Sequence, residues 1–354
     1  MPRELYPIDD VPTKSIATEE IDSILKSKFL DLISAPLGGT VLDVSDEWFA
    51  PATNLLSPKT PIYSERQVFT GQWMDGWESR RHNRKPFDYV IIRLGVASGS
   101  IVGVEIDTAY FQGNEAPAIS VEACFATNDS EVVGWKGERA GWETVVGRKE
   151  CGPSKRHAWM AEANTKPYTH VRLNMYPDGG TARFRLYGVA IPILPDEKTV
   201  CDLAAATNGG MVVSCSNQAF GTLASNLLLP GRGPDMADGW ETARSRTEDH
   251  VDWAIVKLGI PGKVQKLVVD TAHFRGNYPE KTIVMALKYE KEGVPECDDK
   301  DWKEVTSMNE GEADKEQEFE SLVQNETFTH VKLNIYPDGG VKRLRVFGTR
   351  ASQK

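Results

Sequence analysis

The stretch His170-Val-Arg-Leu-Asn-Met-Tyr-Pro-Asp-Gly-Gly180 recurs 160 residues later as His330-Val-Lys-Leu-Asn-Ile-Tyr-Pro-Asp-Gly-Gly340. Both copies run on through two arginines, Arg183 and Arg185 or Arg343 and Arg345, to Gly188 or Gly348. Val171, Leu173 and Met175 alternate with Arg172, Asn174 and Tyr176, the period of a strand with one apolar face. Phe184 and Leu186 alternate in the same way with Arg183, Arg185 and Tyr187. Tyr-Pro-Asp-Gly-Gly puts proline where φ is negative and glycine where positive φ is allowed, which predicts a turn closing a hairpin at the end of each copy. The second face of the hairpin, with its arginines, is expected to be solvated, ion-paired or in contact with another subunit.

Working outward, Asp75-Gly-Trp-Glu78 pairs with Asp238-Gly-Trp-Glu241, and Asp107-Thr-Ala-Tyr-Phe-Gln-Gly-Asn114 with Asp270-Thr-Ala-His-Phe-Arg-Gly-Asn277. Asn54-Leu-Leu56 matches Asn226-Leu-Leu228, and Gly38-Gly39 matches Gly209-Gly210. A period of this length, repeated in order, is an internal duplication. It gives an N-terminal segment 1–35, a first repeat 36–190, a linker 191–206 with two prolines, and a second repeat 207–350. Runs at Tyr89 to Leu94, Ile101 to Ile106 and Ile119 to Phe125, with counterparts at Trp253 to Leu258, Val264 to Val269 and Ile283 to Tyr289, read as strands. Many short strands with turn signals between them predict an all-β protein of two tandem antiparallel β-sandwich repeats. Ile21, Ile24, Leu25, Phe29, Leu32 and Ile33 recur at helical spacing behind Thr18-Glu19-Glu20 and predict a short N-terminal helix. The acid- and lysine-rich stretch 290–324 reads as a solvated loop.

The 354 residues, 40% of them hydrophobic, suffice for two cores. Forty-one basic against 51 acidic side chains leave a net charge of −10, a surface that repels phosphate backbones and anionic lipid. No nucleic acid or membrane partner is expected. The N-terminus lacks the apolar core of a signal peptide, and five cysteines without a C-x-x-C pair argue against a disulfide framework. A cytoplasmic location is the expectation.

No metalloprotease, P-loop, nucleophile-elbow or dinucleotide signature occurs, so any chemistry must use the polar residues of the repeat. Asp-Gly-Trp-Glu followed by arginine offers acids for proton transfer, Glu78 or Glu241 and Asp238, beside guanidiniums able to hold a carboxylate, Arg81 or Arg244. The competing reading is a glycine turn, a buried tryptophan and a surface ion pair. Asp-Thr-Ala-x-Phe-x-Gly-Asn ends a strand in polar groups, Asp107 or Asp270 and Asn114 or Asn277; these either bind a ligand or hold their own loop. Tyr110 in the first copy is His273 in the second, a better group for proton transfer near neutrality. His170 and His330 read as structural. His82, His157 and His250 are not shared between the copies, so a duplicated metal site on them is not expected, while a divalent metal held by other motif residues is left open.

Taken together, the doubled Asp-Gly-Trp-Glu-(Ser/Thr)-x-Arg, Asp-Thr-Ala-(Tyr/His)-Phe-x-Gly-Asn and His-Val-(Arg/Lys)-Leu-Asn-x-Tyr-Pro-Asp-Gly-Gly motifs resemble the allantoicase family from about Gly38 to Gly348. The resemblance implies hydrolysis of allantoate to ureidoglycolate and urea in purine-derived nitrogen recovery, two jelly-roll repeats, and assembly into a homo-oligomer. On that reading Glu241, Asp270, His273, Asp238, Glu78 and Asp107 are the expected catalytic groups, and Arg81, Arg244, Asn114, Asn277 and Tyr110 the substrate-binding ones. The alternative is a non-catalytic tandem β-sandwich that binds carbohydrate or another small ligand.

Overall fold

The strand His170–Tyr176 lies between Asp88–Arg93 and Ala118–Cys124, and it makes no pairing with Arg183–Ala190, the strand that follows it. Arg183–Ala190 pairs instead with Gly99–Asp107 in a different sheet. The expected hairpin is therefore a crossing: after the cis Tyr176–Pro177 bond the chain leaves one layer of the sandwich and enters the other. The second copy does the same after its cis Tyr336–Pro337 bond. Gly179 and Gly339, at φ 136° and 141°, supply the left-handed step in this crossing.

The computed structural model describes residues 8–135 and 141–352, in two compact units, Met1–Ile191 and Pro192–Lys354. The first unit has two five-stranded antiparallel sheets. One runs in the order Thr13–Ile16, Arg156–Ala161, Gly99–Asp107, Arg183–Ala190, Leu30–Asp31, and the other Glu143–Glu150, Ala118–Cys124, His170–Tyr176, Asp88–Arg93, Thr40–Val44. Their outer faces are covered as well. Ile21 and Leu25 pack on Ala158 and Tyr187 outside the first sheet, and the helix Asp129–Trp135 with Trp142 covers Phe87, Tyr89 and Tyr176 outside the second. Under that cover the cationic face is ion-paired, one of the outcomes its sequence left open: Arg172 is wholly buried, its guanidinium on Glu122 at 2.6 Å and over the Trp142 ring at 4.8 Å. A buried charge persists only when paired in this way.

In the second unit one strand, Asp252–Asp270, does the work of two. Its first part pairs with Thr327–Tyr336 and Met211–Cys215, and its last part with Arg343–Arg350 and Glu316–Glu320. The register breaks between Lys257 and Gly262, where the strand turns the corner between layers. Glu316–Glu320 lies within the stretch expected to be a solvated loop; it is an edge strand with alternating exposure, and Trp302 and Val305 nearby are buried.

The N-terminal helix is shorter than its apolar spacing predicts. A 3-10 turn at Thr18–Glu20 and a π-helical turn at Asp22–Lys26 are followed by the extended pair Leu30–Asp31. The Asp31 carboxylate accepts the Leu186 and Ile33 amides and faces Arg185 at 3.4 Å, which holds this segment at the sheet edge. Asp202 repeats the arrangement with Val346, Ala204 and Arg345. Thr18 donates to Arg156 O and caps nothing. All five cysteines are free thiols.

Candidate functional site

The three repeated motifs meet at one end of each sandwich, and an aromatic ring explains why. The Phe111 ring fills the space that a side chain would need at Gly180 (2.0 Å) and shares that at Gly76 (2.9 Å) with Thr181 O and Ala182 Cα, and the Phe274 ring fills it at Gly239 (2.9 Å) and Gly340 (2.0 Å). Trp77–Glu78 then pairs with Gly180–Thr181, and Trp240–Glu241 with Gly340–Val341. The tryptophans are wholly buried, their indole N–H groups donating to Asp46 O and Asn217 O at 2.8 Å. Asn54 and Asn226 tie the same turns from below through Gly76 O and Gly239 O.

This framework brings Glu78, Arg81 and Asn114 together. Asn114 Nδ2 donates to Glu78 Oε1 at 2.9 Å, while Arg81 donates to Gly113 O at 2.8 Å and to the buried Asp178 at 3.1 Å. Burial pushes the Glu78 carboxyl above its usual range, against the Asn114 hydrogen bond and the Arg81 charge. The second unit repeats the core of the arrangement, with Asn277 Nδ2 on Glu241 Oε1 at 2.6 Å. There Asp338, the counterpart of Asp178, accepts the Ser245 amide at 2.7 Å and Arg244 is exposed. Asp178 and Asp338 read in sequence only as turn residues; that each stands in a motif shared by both copies was the available signal.

The remaining candidates are engaged elsewhere. Arg343, almost fully buried, grips both Asp238 carboxylate oxygens at 2.8 and 3.0 Å, and Arg183 holds Asp75 at 2.8 Å in the first unit. Of the outcomes expected for these arginines, solvated, ion-paired or in subunit contact, Arg183 and Arg343 take the ion-paired one and anchor the Asp-Gly-Trp-Glu turns. Asp270 is clamped by Arg232 through two contacts of 2.8 Å and accepts the Ala272 amide. Asp107 accepts the Ala109 amide, and burial raises its carboxyl, with Glu105 adding to the rise and Arg156 and Arg183 opposing it. Tyr110 and His273 are both left-handed, φ 67° and 69°. Each leans on the loop that precedes its own Asp-Gly-Trp-Glu: the Tyr110 ring lies 5.8 Å from that of Tyr63, and His273 Nε2 is 3.1 Å from Gly233 O.

Beside Arg81 in the first unit lies a cleft of about 460 Å³, lined by Ser45, Asp46, Asp88 and the run from Arg80 to Lys85. Its size falls in the range of small-molecule sites, roughly 300–1,000 Å³. Ser45 and Asp88 escaped the sequence reading, although Ser216 and Asp252 repeat them with the same bond, serine Oγ to aspartate Oδ1 at 2.7 and 2.6 Å. His170 and His330 sit buried beside Thr169 and Thr329. Among the described residues no three of His, Cys, Asp and Glu are grouped to hold a metal ion, and no helix is long and apolar enough to cross a membrane.

The allantoicase repeat matches this chain twice, over residues 30–191 and 201–351. An allantoicase of Neurospora crassa is 60% identical over 98% of both chains, and one of Saccharomyces cerevisiae 46% identical over 94% of this chain and 98% of its own. The crystal structure of the Saccharomyces cerevisiae allantoicase superposes with a TM-score of 0.81 at 42% identity, covering 95% of this chain and all of the other. Another solved allantoicase gives 0.82 at 43% identity, over 95% and 99%. With both repeats matched and the same architecture along nearly the whole length, the chain belongs to the allantoicase family.

Proposed function

We propose that the chain is a hydrolase that converts allantoate and water to ureidoglycolate and urea, in the recovery of nitrogen from purines. The observation that carries the site assignment is the Glu78–Asn114–Arg81 cluster, with Glu241, Asn277 and Arg244 at the matching positions of the second repeat. Allantoate carries a carboxylate and two ureido arms on one carbon. Water adds its oxygen to that carbon and gives up one proton, the bond to one ureido nitrogen breaks with its electron pair on nitrogen, and a proton delivered there by the glutamic acid releases urea, the proton lost by water restoring the acid. A glutamic acid whose burial favours the protonated form is suited to deliver that proton. Arg81 and Arg244 face the carboxylate, and Asn114 and Asn277 orient the glutamates and read a ureido arm. Asp75 and Asp238, Asp107 and Asp270, Tyr110 and His273 act on this reading by fixing the loops around the cluster.

Urea release from allantoate tests it, with chelator and added divalent metal as parallel conditions and allantoin as a control substrate. The double variant E78Q/E241Q is expected to lose at least about 100-fold in turnover, the low end of general acid–base contributions. Turnover within about threefold of the parent protein would return the catalytic role to Asp238, Asp270 and His273, whose own substitutions come next. Because the glutamate acts in its acid form, activity should fall as pH rises through its elevated pKa. Homo-oligomeric assembly and a cytoplasmic location belong to the same reading through the family resemblance. A solution mass of one chain, 39.2 kDa, would remove the former.

A further inference from the structure

Arg81 is the side chain on which the three motifs of the first repeat close. It belongs to the first motif, donates from Nη2 to Gly113 O of the second at 2.8 Å, and from Nη1 to Asp178 of the third at 3.1 Å. Asp178 is 3% exposed, and its other oxygen accepts the Asn83 amide at 3.0 Å, so the carboxylate is fixed from two sides. These bonds use two of the five N–H donors of the guanidinium. The Arg81 side chain is 36% exposed, which leaves the other donors open to a ligand carboxylate.

The second repeat keeps the aspartate but not its grip on an arginine. Two amides pin the chain on either side of the guanidinium-bearing residue. In the first repeat they are Arg80 N on Asp46 and Asn83 N on Asp178, and in the second Ala243 N on Asn217 and Ser245 N on Asp338. Arg81 and His82 lie between the pins in the first repeat, and Arg244 alone in the second. His82 takes up the extra residue in the left-handed region, at φ 65°, which a non-glycine residue adopts when its surroundings impose it. The shorter connection does not bring Arg244 to Asp338: Arg244 is exposed, and among the described residues no hydrogen bond or ion pair holds it. An arginine free in solvent loses its side-chain freedom when it meets a ligand, whereas one already fixed loses little.

We propose that Asp178 is a positioning residue: it sets Arg81 in the orientation that receives the ligand carboxylate, so that the first repeat binds substrate more tightly than the second, where Asp338 sets no arginine. This rests on the allantoate reading, and hydantoate, a carboxylate with one ureido arm and no second arm to release, tests it apart from turnover. Titration calorimetry on the full chain, with Arg244→Met removing the second repeat's cation, is expected to show hydantoate binding weakened at least about tenfold by Asp178→Asn. Charge alone predicts the opposite sign, because removing an acid near an anion site should tighten the anion. Asp338→Asn should leave binding within about twofold, and Asp178→Asn added to Arg81→Met should change it by no more than about twofold, because Asp178 acts through Arg81. Unchanged or tighter binding by Asp178→Asn, losses that add to those of Arg81→Met, equal weakening by Asp338→Asn, binding lost in Arg244→Met alone, or no hydantoate binding by the parent protein would overturn the proposal. If Asp178→Asn does not fold, Arg81→Lys replaces it. Its charge stays, but a single ammonium does not span Asp178 and Gly113 O, so a several-fold weakening supports the role and no change refutes it. The same binding pattern in a protein that releases no urea from allantoate would leave Asp178 in its role and remove the hydrolase assignment.

Discussion

His330 is buried against the Tyr289 ring, its Nδ1 2.9 Å from Thr329 Oγ1, and burial together with the Lys257 charge brings its pKa down to about 4. Its folded-state pKa is below the usual 6.5, so the stabilisation is full above pH 6.5 and is lost as pH falls from there through about 4. His170 differs because Asp129 Oδ1, 3.0 Å from its Nε2, partly offsets the effect of burial. We expect His330→Gln to be less stable than the parent protein at pH 7, with the gap closing by pH 5. Thermal unfolding at the two pH values checks this, and a constant gap would show that the ring contributes through packing alone. Residues whose role is set by their partners were the least legible in sequence. In sequence Asp238 reads as a candidate catalytic acid and Arg343 as a solvated, ion-paired or subunit-contacting cation, and only the fold shows that each neutralises the other.

At the scale of elements, alternation located the strands, while their partners followed from what the turn permits. Tyr-Pro-Asp-Gly-Gly was legible as a turn, but a turn within one sheet and a crossing between two sheets use the same residues. The N-terminal helix failed for a related reason: apolar positions serve a short helical turn and an extended edge equally, and Asp31 decides by accepting strand amides. The convergence of three motifs was legible only as their shared duplication. The phenylalanine within the second motif is the physical link, because its ring occupies the space where Gly340 and Gly239 lack side chains. Gly340→Ala would place a methyl 2.0 Å from the Phe274 ring. Displacing that ring should cost about 1–3 kcal/mol, the range for overpacking, and loosen the Glu241–Asn277 contact with it. Denaturant unfolding reads the first effect; an unchanged midpoint would mean that the ring moves freely and does not fasten the motifs.

Across the whole molecule the two repeats keep the same site framework but have diverged in how they bury charge. Arg172 and Glu122 form a buried pair in the first, whereas the second has Met285 where Glu122 stands and Lys332 donating to Cys297 O beside Trp302. The layers are also joined differently. In the first unit Asp88–Arg93 and Gly99–Asp107 belong to separate sheets, and in the second they merge into the single strand Asp252–Asp270. Two layers that share one unbroken backbone cannot open one at a time. Amide hydrogens across both layers of the second unit should therefore exchange with deuterium together, through one opening event, while the two sheets of the first unit are free to exchange at separate rates.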